Sequence, residues 1–317
     1  MGGLMAGDAL RVCRLGLYVA WTLPLMAVQA VQLATGSRYA TRLPRIYHRV
    51  CCRILGFRVG VLGTPSDRRP TLFVANHASY TDITILGALI EGSFVAKSEI
   101  GKWPFFGWLA KLQRTVFVDR RVRTTAKQRG DLGARLESGE NLILFPEGTS
   151  NDGIRVRAFK SALLSVAEGK TYRGEPVAVQ PVTVAYTRLD GMPIGRLDRP
   201  AFAWYGDMDL MPHMWHLVGC GTIDVEVEFH PVVTLRDFAS RKALTDHCQR
   251  VIAAGLAAAL SGRRNAVAAA AAAATGPSGA VPATPAASTA GGDGGSGAAG
   301  ALGGAARASD GTNGRTR

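Results

Sequence analysis

The 317 residues are 47% hydrophobic, ample for the core of one large domain or two small ones, which excludes a solvated polymer. The formal charge is +13; residues 263–317 carry five Arg against two Asp, so +10 remains on the rest. A folded part that is basic in its own right suits anionic lipid headgroups, acidic carrier proteins or nucleic acid, and charge alone does not choose among them.

Residues 15–33 are almost wholly apolar, interrupted mainly by Pro24, Gln29 and Gln32 and preceded by Arg11 and Arg14. That length can cross or enter a bilayer as a helix, or, bent at Pro24, as a re-entrant hairpin. A cleaved signal peptide shares the basic start and the small residues Ala27, Ala30 and Ala34. The five cysteines, Cys13, Cys51, Cys52, Cys220 and Cys248, are odd in number and form no CxxC pair. They point to a reducing compartment, and so to an uncleaved anchor whose domain faces the cytosol. No HExxH and no His/Cys cluster stands at ligand spacing, so no metal is expected.

In residues 42–53, Arg42, Arg45, His48, Arg49 and Arg53 alternate with Leu43, Ile46, Tyr47 and Val50 at near-helical spacing. Such a helix either lies on a lipid surface or packs its apolar side on the domain. From there β-rich runs at 58–62, 71–75, 93–96, 115–118, 142–145, 177–185, 201–205 and 223–229 alternate with helix candidates at 79–90, 104–111, 124–138, 158–168 and 234–261. The alternation predicts an α/β domain, a mixed central sheet flanked by helices, over residues 56–262, behind an anchoring segment over 1–55. Residues 263–317, nearly all Ala, Gly, Pro, Ser and Thr, offer too little bulky apolar surface to offset ordering and read as a disordered tail.

Chemistry concentrates in two stretches. In the first, the apolar run ending at Ala75 leads into Asn76 and His77, and Ser79 and Asp82 then stand as a capping box at a helix start. A carboxylate in that first turn can accept from one imidazole nitrogen and leave the other facing outward as a base. This is two-thirds of a triad without its serine, and the missing hydroxyl can be the substrate's. In the second, an apolar run enters Pro146, Glu147, Gly148 and Thr149, a turn whose N–H groups suit an anion or a developing oxyanion.

Together, Asn76-His77 with Asp82, Phe117-Val-Asp-Arg120, Phe145-Pro-Glu-Gly-Thr149 and Gln180-Pro181-Val182 resemble, in order, four motifs of the glycerolipid acyltransferase family. The likeness covers roughly residues 72–184 and extends to Lys97-Ser-Glu99 and Trp103-Pro-Phe-Phe-Gly107. It implies direct acyl transfer from a thioester on acyl carrier protein or coenzyme A, as co-substrate and without a cofactor, to a lysolipid hydroxyl. It also implies His77 as base, Asp82 as its orienting partner, and substrate contacts from Asn76, Arg120, Glu147, Gly148 and Thr149. Lys97 and Lys160 fit either phosphate contact or plain solvation.

Where phosphate-recognising members of that family continue as FPEGTR, this chain has Ser150, which cannot make the bidentate contact of a guanidinium. Either Arg155 or Arg157 reaches in, or the acceptor has no phosphate. The runs 180–186 and 203–210 are similar to the lyso-ornithine-lipid acyltransferase branch. The expected partners are therefore membrane lipids and acyl carrier protein or acyl-CoA at the cytosolic side of the inner membrane. Nucleic acid is not expected, because the arginines fall on no nucleic-acid motif. Rival readings are an inactive lipid-binding protein, which would be expected to have lost His77 or Asp82, and an acyl-thioester hydrolase.

Overall fold

The computed structural model describes residues 2–118, 125–168 and 171–262. Strands β1 (Phe57–Leu62), β2 (Thr71–Ala75), β3 (Ser93–Lys97), β4 (Val116–Val118), β5 (Leu142–Leu144), β6 (Thr171–Tyr172), β7 (Glu175–Pro176), β8 (Ala178–Leu189), β9 (Met192–Pro193), β10 (Ile223–Phe229) and β11 (Val233–Thr234) alternate with seven α-helices among the described residues. The helices are α1 (Gly2–Ala34), α2 (Leu43–Ile54), α3 (Thr81–Leu89), α4 (Phe106–Leu112), α5 (Thr125–Glu137), α6 (Leu210–Val218) and α7 (Arg241–Leu260).

The main sheet runs β1-β10-β8-β2-β5-β3-β4, parallel everywhere except between β10 and β8, with β9 and β11 added to β8. β2 and β5 are buried at every position, as expected of parallel strands covered on both faces. Their two-residue period divides the core. Phe73, Ala75 and Ile143 join the layer that holds Ile85 and Leu86 of α3 and Cys52 of α2. Leu72, Val74, Leu142 and Leu144 join Leu132 and Leu136 of α5 and Leu244, Cys248 and Ile252 of α7. The carboxyl ends of β2 and β5 lie side by side, so the loops after Ala75 and Leu144 converge, the usual place for a site in an open α/β sheet.

Helix α1 continues through Pro24, so the hairpin alternative is not adopted. It docks along the domain: Arg14 donates to the carbonyls of Val218, Cys220 and Gly221, Trp21 to that of Tyr47, and Gln29 to those of Ala40 and Leu112. Its far side leaves Leu17, Leu23, Val28 and Val31 exposed.

Other differences from the sequence reading have local causes. Residues 201–205 are not a strand. Pro200 sits in a 3-10 turn (Arg199–Ala201), and the chain then binds the first site loop through Trp204 N–H to Ala78 O at 2.9 Å. Residues 161–167 form 3-10 turns, not an α-helix. Helix α7 starts only at Arg241, behind the Ser240 cap, after a separate capped turn at Leu235–Asp237. Helix α6 carries Pro212 in its first turn, where a missing N–H is tolerated; that proline hid it from the periodicity reading. The predicted tail, 263–317, lies outside the described residues.

Candidate active site

At the end of β2, Asn76 extends the sheet beyond the strand by using its side chain as a peptide group. Its Nδ2 donates to Val184 O at 2.9 Å and its Oδ1 accepts from Val184 N–H at 2.8 Å. That fixes the exit direction of the next residue. Asn76 is buried and its amide is spent on β8, so it serves the loop and does not face a substrate.

His77 Nδ1 bonds Asp82 Oδ2 at 2.8 Å, and its ring stacks on Phe145, centroids 4.1 Å apart. Asp82 is fully buried, and its Oδ2 also accepts the N–H groups of Ala78 at 2.7 Å and Ser79 at 3.0 Å. Only half of the expected capping box forms. Ser79 Oγ meets Thr81 N–H at 3.4 Å, and α3 begins at Thr81. A carboxylate with these donors favours Nδ1–H on the imidazole, so Nε2 carries the lone pair. The His77 side chain is 19% exposed. No serine or cysteine side chain bonds it among the described residues.

The second loop is tied to the first by Glu147. Its Oε1 accepts His77 N–H at 2.8 Å; its Oε2 accepts Asn151 Nδ2 at 2.5 Å and Arg157 N–H at 3.0 Å. Asn151 N–H returns to His77 O at 3.0 Å. Burial raises the Glu147 pKa above 4.5, and the His77, Arg157 and Asn151 hydrogen bonds oppose the shift. With its oxygens occupied, Glu147 braces the loop.

Gly148 has φ +71°, and a Cβ there would stand 2.9 Å from Lys160 Nζ, so the turn needs glycine and carries an ammonium over it. Gly148 N–H bonds Phe145 O at 3.0 Å, while those of Thr149 and Ser150 have no acceptor among the described residues. Ser150 is buried, and Arg155 and Arg157 are exposed. Lys97, half-buried, closes β3. Arg120 lies outside the described residues. Among the described residues no three His, Cys, Asp or Glu side chains gather as metal ligands.

Sequence reasoning missed Arg199, and it placed Tyr186, Trp204 and Trp103 inside matching runs without finding what they touch. Tyr186 lies in β8, fully buried, and reaches Asp82. Beside the first loop Tyr80 packs against Trp204 and His213, and Trp103 stands edge-on to Trp204. Their contacts are not legible locally, because they join the loops before α3 and α4 to β8 and the segment after it.

A buried carboxylate that orients an outward imidazole at the carboxyl ends of the strands of an α/β sheet is an arrangement suited to general-base chemistry. The acyltransferase family model matches residues 58–185. The lyso-ornithine lipid O-acyltransferase of Brucella abortus is 43% identical over 248 residues, 77% of this chain and 93% of that protein. The enzyme of that name from Rhizobium meliloti is 41% identical over 255 residues, 80% and 87%. The 1-acyl-sn-glycerol-3-phosphate acyltransferase of Neisseria gonorrhoeae is 30% identical over 199 residues, 62% and 74%. The crystal structure of the 1-acyl-sn-glycerophosphate acyltransferase of Thermotoga maritima has the same fold, with a TM-score of 0.58 at 23% identity over 80% of this chain and 95% of that one. The chain belongs to the acyltransferase family that includes these proteins and is an acyltransferase.

Proposed function

We propose that the protein moves a fatty acyl group from a thioester to the free hydroxyl of lyso-ornithine lipid at the cytosolic face of the inner membrane. The observation that carries the chemistry is the 2.8 Å bond between His77 Nδ1 and Asp82 Oδ2, which leaves Nε2 as base. His77 Nε2 takes the hydroxyl proton as the oxygen attacks the thioester carbonyl, and Asp82 stabilises the imidazolium. The tetrahedral oxyanion draws on the N–H groups of Thr149 and Ser150, which have no acceptor among the described residues. Its collapse breaks the C–S bond, and the departing thiolate takes the proton from His77, giving ester and free thiol. General-base help contributes about 10²–10⁴-fold, and holding two substrates together supplies much of the rest.

This reading of the acceptor is supported by Ser150, uncharged and buried, and by the names of the Brucella abortus and Rhizobium meliloti relatives. Membrane docking follows from the outer face of α1, continued by the exposed Trp108 of α4 and Met211 and Trp215 of α6, beside the exposed Arg42, Arg49 and Arg53 of α2. The donor is acyl carrier protein or coenzyme A, both anionic and matched to a basic domain.

The test offers labelled acyl carrier protein or acyl-CoA to membranes holding wild type or His77→Ala, with lyso-ornithine lipid or 1-acylglycerol-3-phosphate in separate tubes. Label entering ornithine lipid with wild type only is expected. Equal product from His77→Ala sinks the mechanism, and label entering phosphatidic acid alone sinks the acceptor.

A further inference from the structure

Arg199 is a cation beside the site that makes no ion pair among the described residues. Its side chain lies over the Phe202 ring, 5.7 Å from the centroid, and the residue is only 6% exposed. Among its nitrogens Nη1 alone is engaged, with Tyr186 O at 3.2 Å and, at the limit of bonding, Gly153 O at 3.5 Å. Among the described residues Nε and Nη2 have no acceptor, and no carboxylate stands within ion-pair distance. Asp152 acts on it only through space, with Oδ1 accepting Ile154 N–H at 2.9 Å. Desolvation lowers the Arg199 pKa, and the side chain is still a cation at neutral pH.

A strut between two carbonyls needs one nitrogen. The free Nε–Nη2 edge is the planar fork that grips a carboxylate or phosphate side-on. Nε and Nη2 keep contact with solvent, so an anion can reach that edge. The place is also right. Gly153, at φ +68°, separates the guanidinium from the residue that follows His77: a Cβ there would stand 3.9 Å from Nη1 and 3.2 Å from Ala78 Cβ.

We propose that Arg199 is an acceptor-binding residue whose Nε–Nη2 edge receives the headgroup carboxylate of the lysolipid. This rests on the reading of the acceptor as lyso-ornithine lipid. When an amino acid is linked through its α-nitrogen to a 3-hydroxyacyl chain, its carboxylate is free. Carboxylate and hydroxyl carbons are then five bonds apart, on the order of 6 Å by standard bond lengths. Binding then requires the carboxylate at Arg199 while the hydroxyl stands at His77. A phosphate has the same anionic chemistry, so the test includes both.

Wild type, Arg199→Gln and Arg199→Lys, each full-length in membranes, are assayed with lyso-ornithine lipid, its headgroup carboxamide and 1-acylglycerol-3-phosphate. Wild type is expected to favour the carboxylate over the carboxamide by roughly 10–100-fold in kcat/KM, the worth of a charge-assisted hydrogen-bonded pair. Arg199→Gln loses that preference through the acceptor KM, while donor KM and the carboxamide rate hold; Arg199→Lys keeps part of it. Wild type using carboxamide and carboxylate equally overturns the inference while leaving the acceptor reading intact, and needs no variant to fold. Arg199→Gln slowing both acceptors alike also overturns it, as a purely structural role. Label reaching only phosphatidic acid overturns the acceptor reading itself, and the carboxylate clamp with it.

Discussion

The phenol of Tyr186 donates to Asp82 Oδ1 at 2.6 Å, on the far side of the carboxylate from His77, which holds Oδ2 at 2.8 Å. Burial and the Asp82 charge raise the Tyr186 pKa well above 10, so the phenol stays a donor, and Thr81 Oγ1 at 2.6 Å supplies a bond to its oxygen. Tyr186→Phe leaves Oδ1 buried without a donor, at about 1–3 kcal/mol. The expected result is a kcat lowered about tenfold with both KM values unchanged, since the ring still stacks on Phe202 and only Asp82 is loosened. A shift in acceptor KM alone would instead place Tyr186 in substrate binding.

Asp82→Asn keeps an oxygen for the Ala78 and Ser79 N–H groups but removes the charge that stabilises a protonated His77. A kcat loss of about 10²–10⁴-fold is expected in the acyl-transfer assay. Adding His77→Ala to that variant costs little more, because the two side chains act as one unit. Fully multiplicative losses would show independent roles.

Glu147→Gln replaces two acceptor oxygens by one acceptor and one donor, while three N–H groups converge on the site: His77, Arg157 and the Asn151 amide. At least one is left unpaired, and a stability loss of about 1–3 kcal/mol in thermal denaturation is expected, with kcat falling as the His77 loop shifts. The pH dependence has a definite sign. Because the folded pKa of Glu147 is raised, the native state binds its proton more tightly. The resulting stabilisation is complete below about 4.5 and lost as pH rises through the raised value. Glu147→Gln removes that slope. An unchanged stability-pH curve would show that the three hydrogen bonds fully offset burial.

How much of this was legible in the sequence follows from what kind of signal each residue sends. Thr71–Ala75 and Ile223–Phe229 were readable because strand patterning is local, and Asp82 could be paired with His77 because a helix's first turn adjoins the loop before it. The brace from Glu147 to His77 N–H joins residues 70 apart, and Tyr186 and Asp82 are 104 apart. Such contacts depend on β5 and β8 lying parallel to β2 on its two sides, which no window of residues encodes. Residues 201–205 misled for the converse reason: apolar and aromatic, they match a strand locally, yet Ala203 and Trp204 pack under the site as loop.

Helix α1 separates two ways of holding a membrane. A free spanning helix needs about 20 apolar residues facing lipid on all sides. Here the stretch from Arg14 to Gln29, about 22 Å at 1.5 Å per residue, is bonded along one side to the domain. Leu23, 53% exposed, lies on the other side. Leu23→Asp is expected to move protein from sedimenting liposomes to the supernatant with thermal stability unchanged, because only lipid contact is lost; burying one leucine is worth about 1.5–3 kcal/mol. Gln29→Ala, which strips the donors from Ala40 O and Leu112 O, is expected to do the opposite, lowering stability while membrane binding holds. If Leu23→Asp instead unfolded the domain and left liposome binding intact, that face would belong to a protein interface, and the basic face of α2 would have to hold the membrane alone.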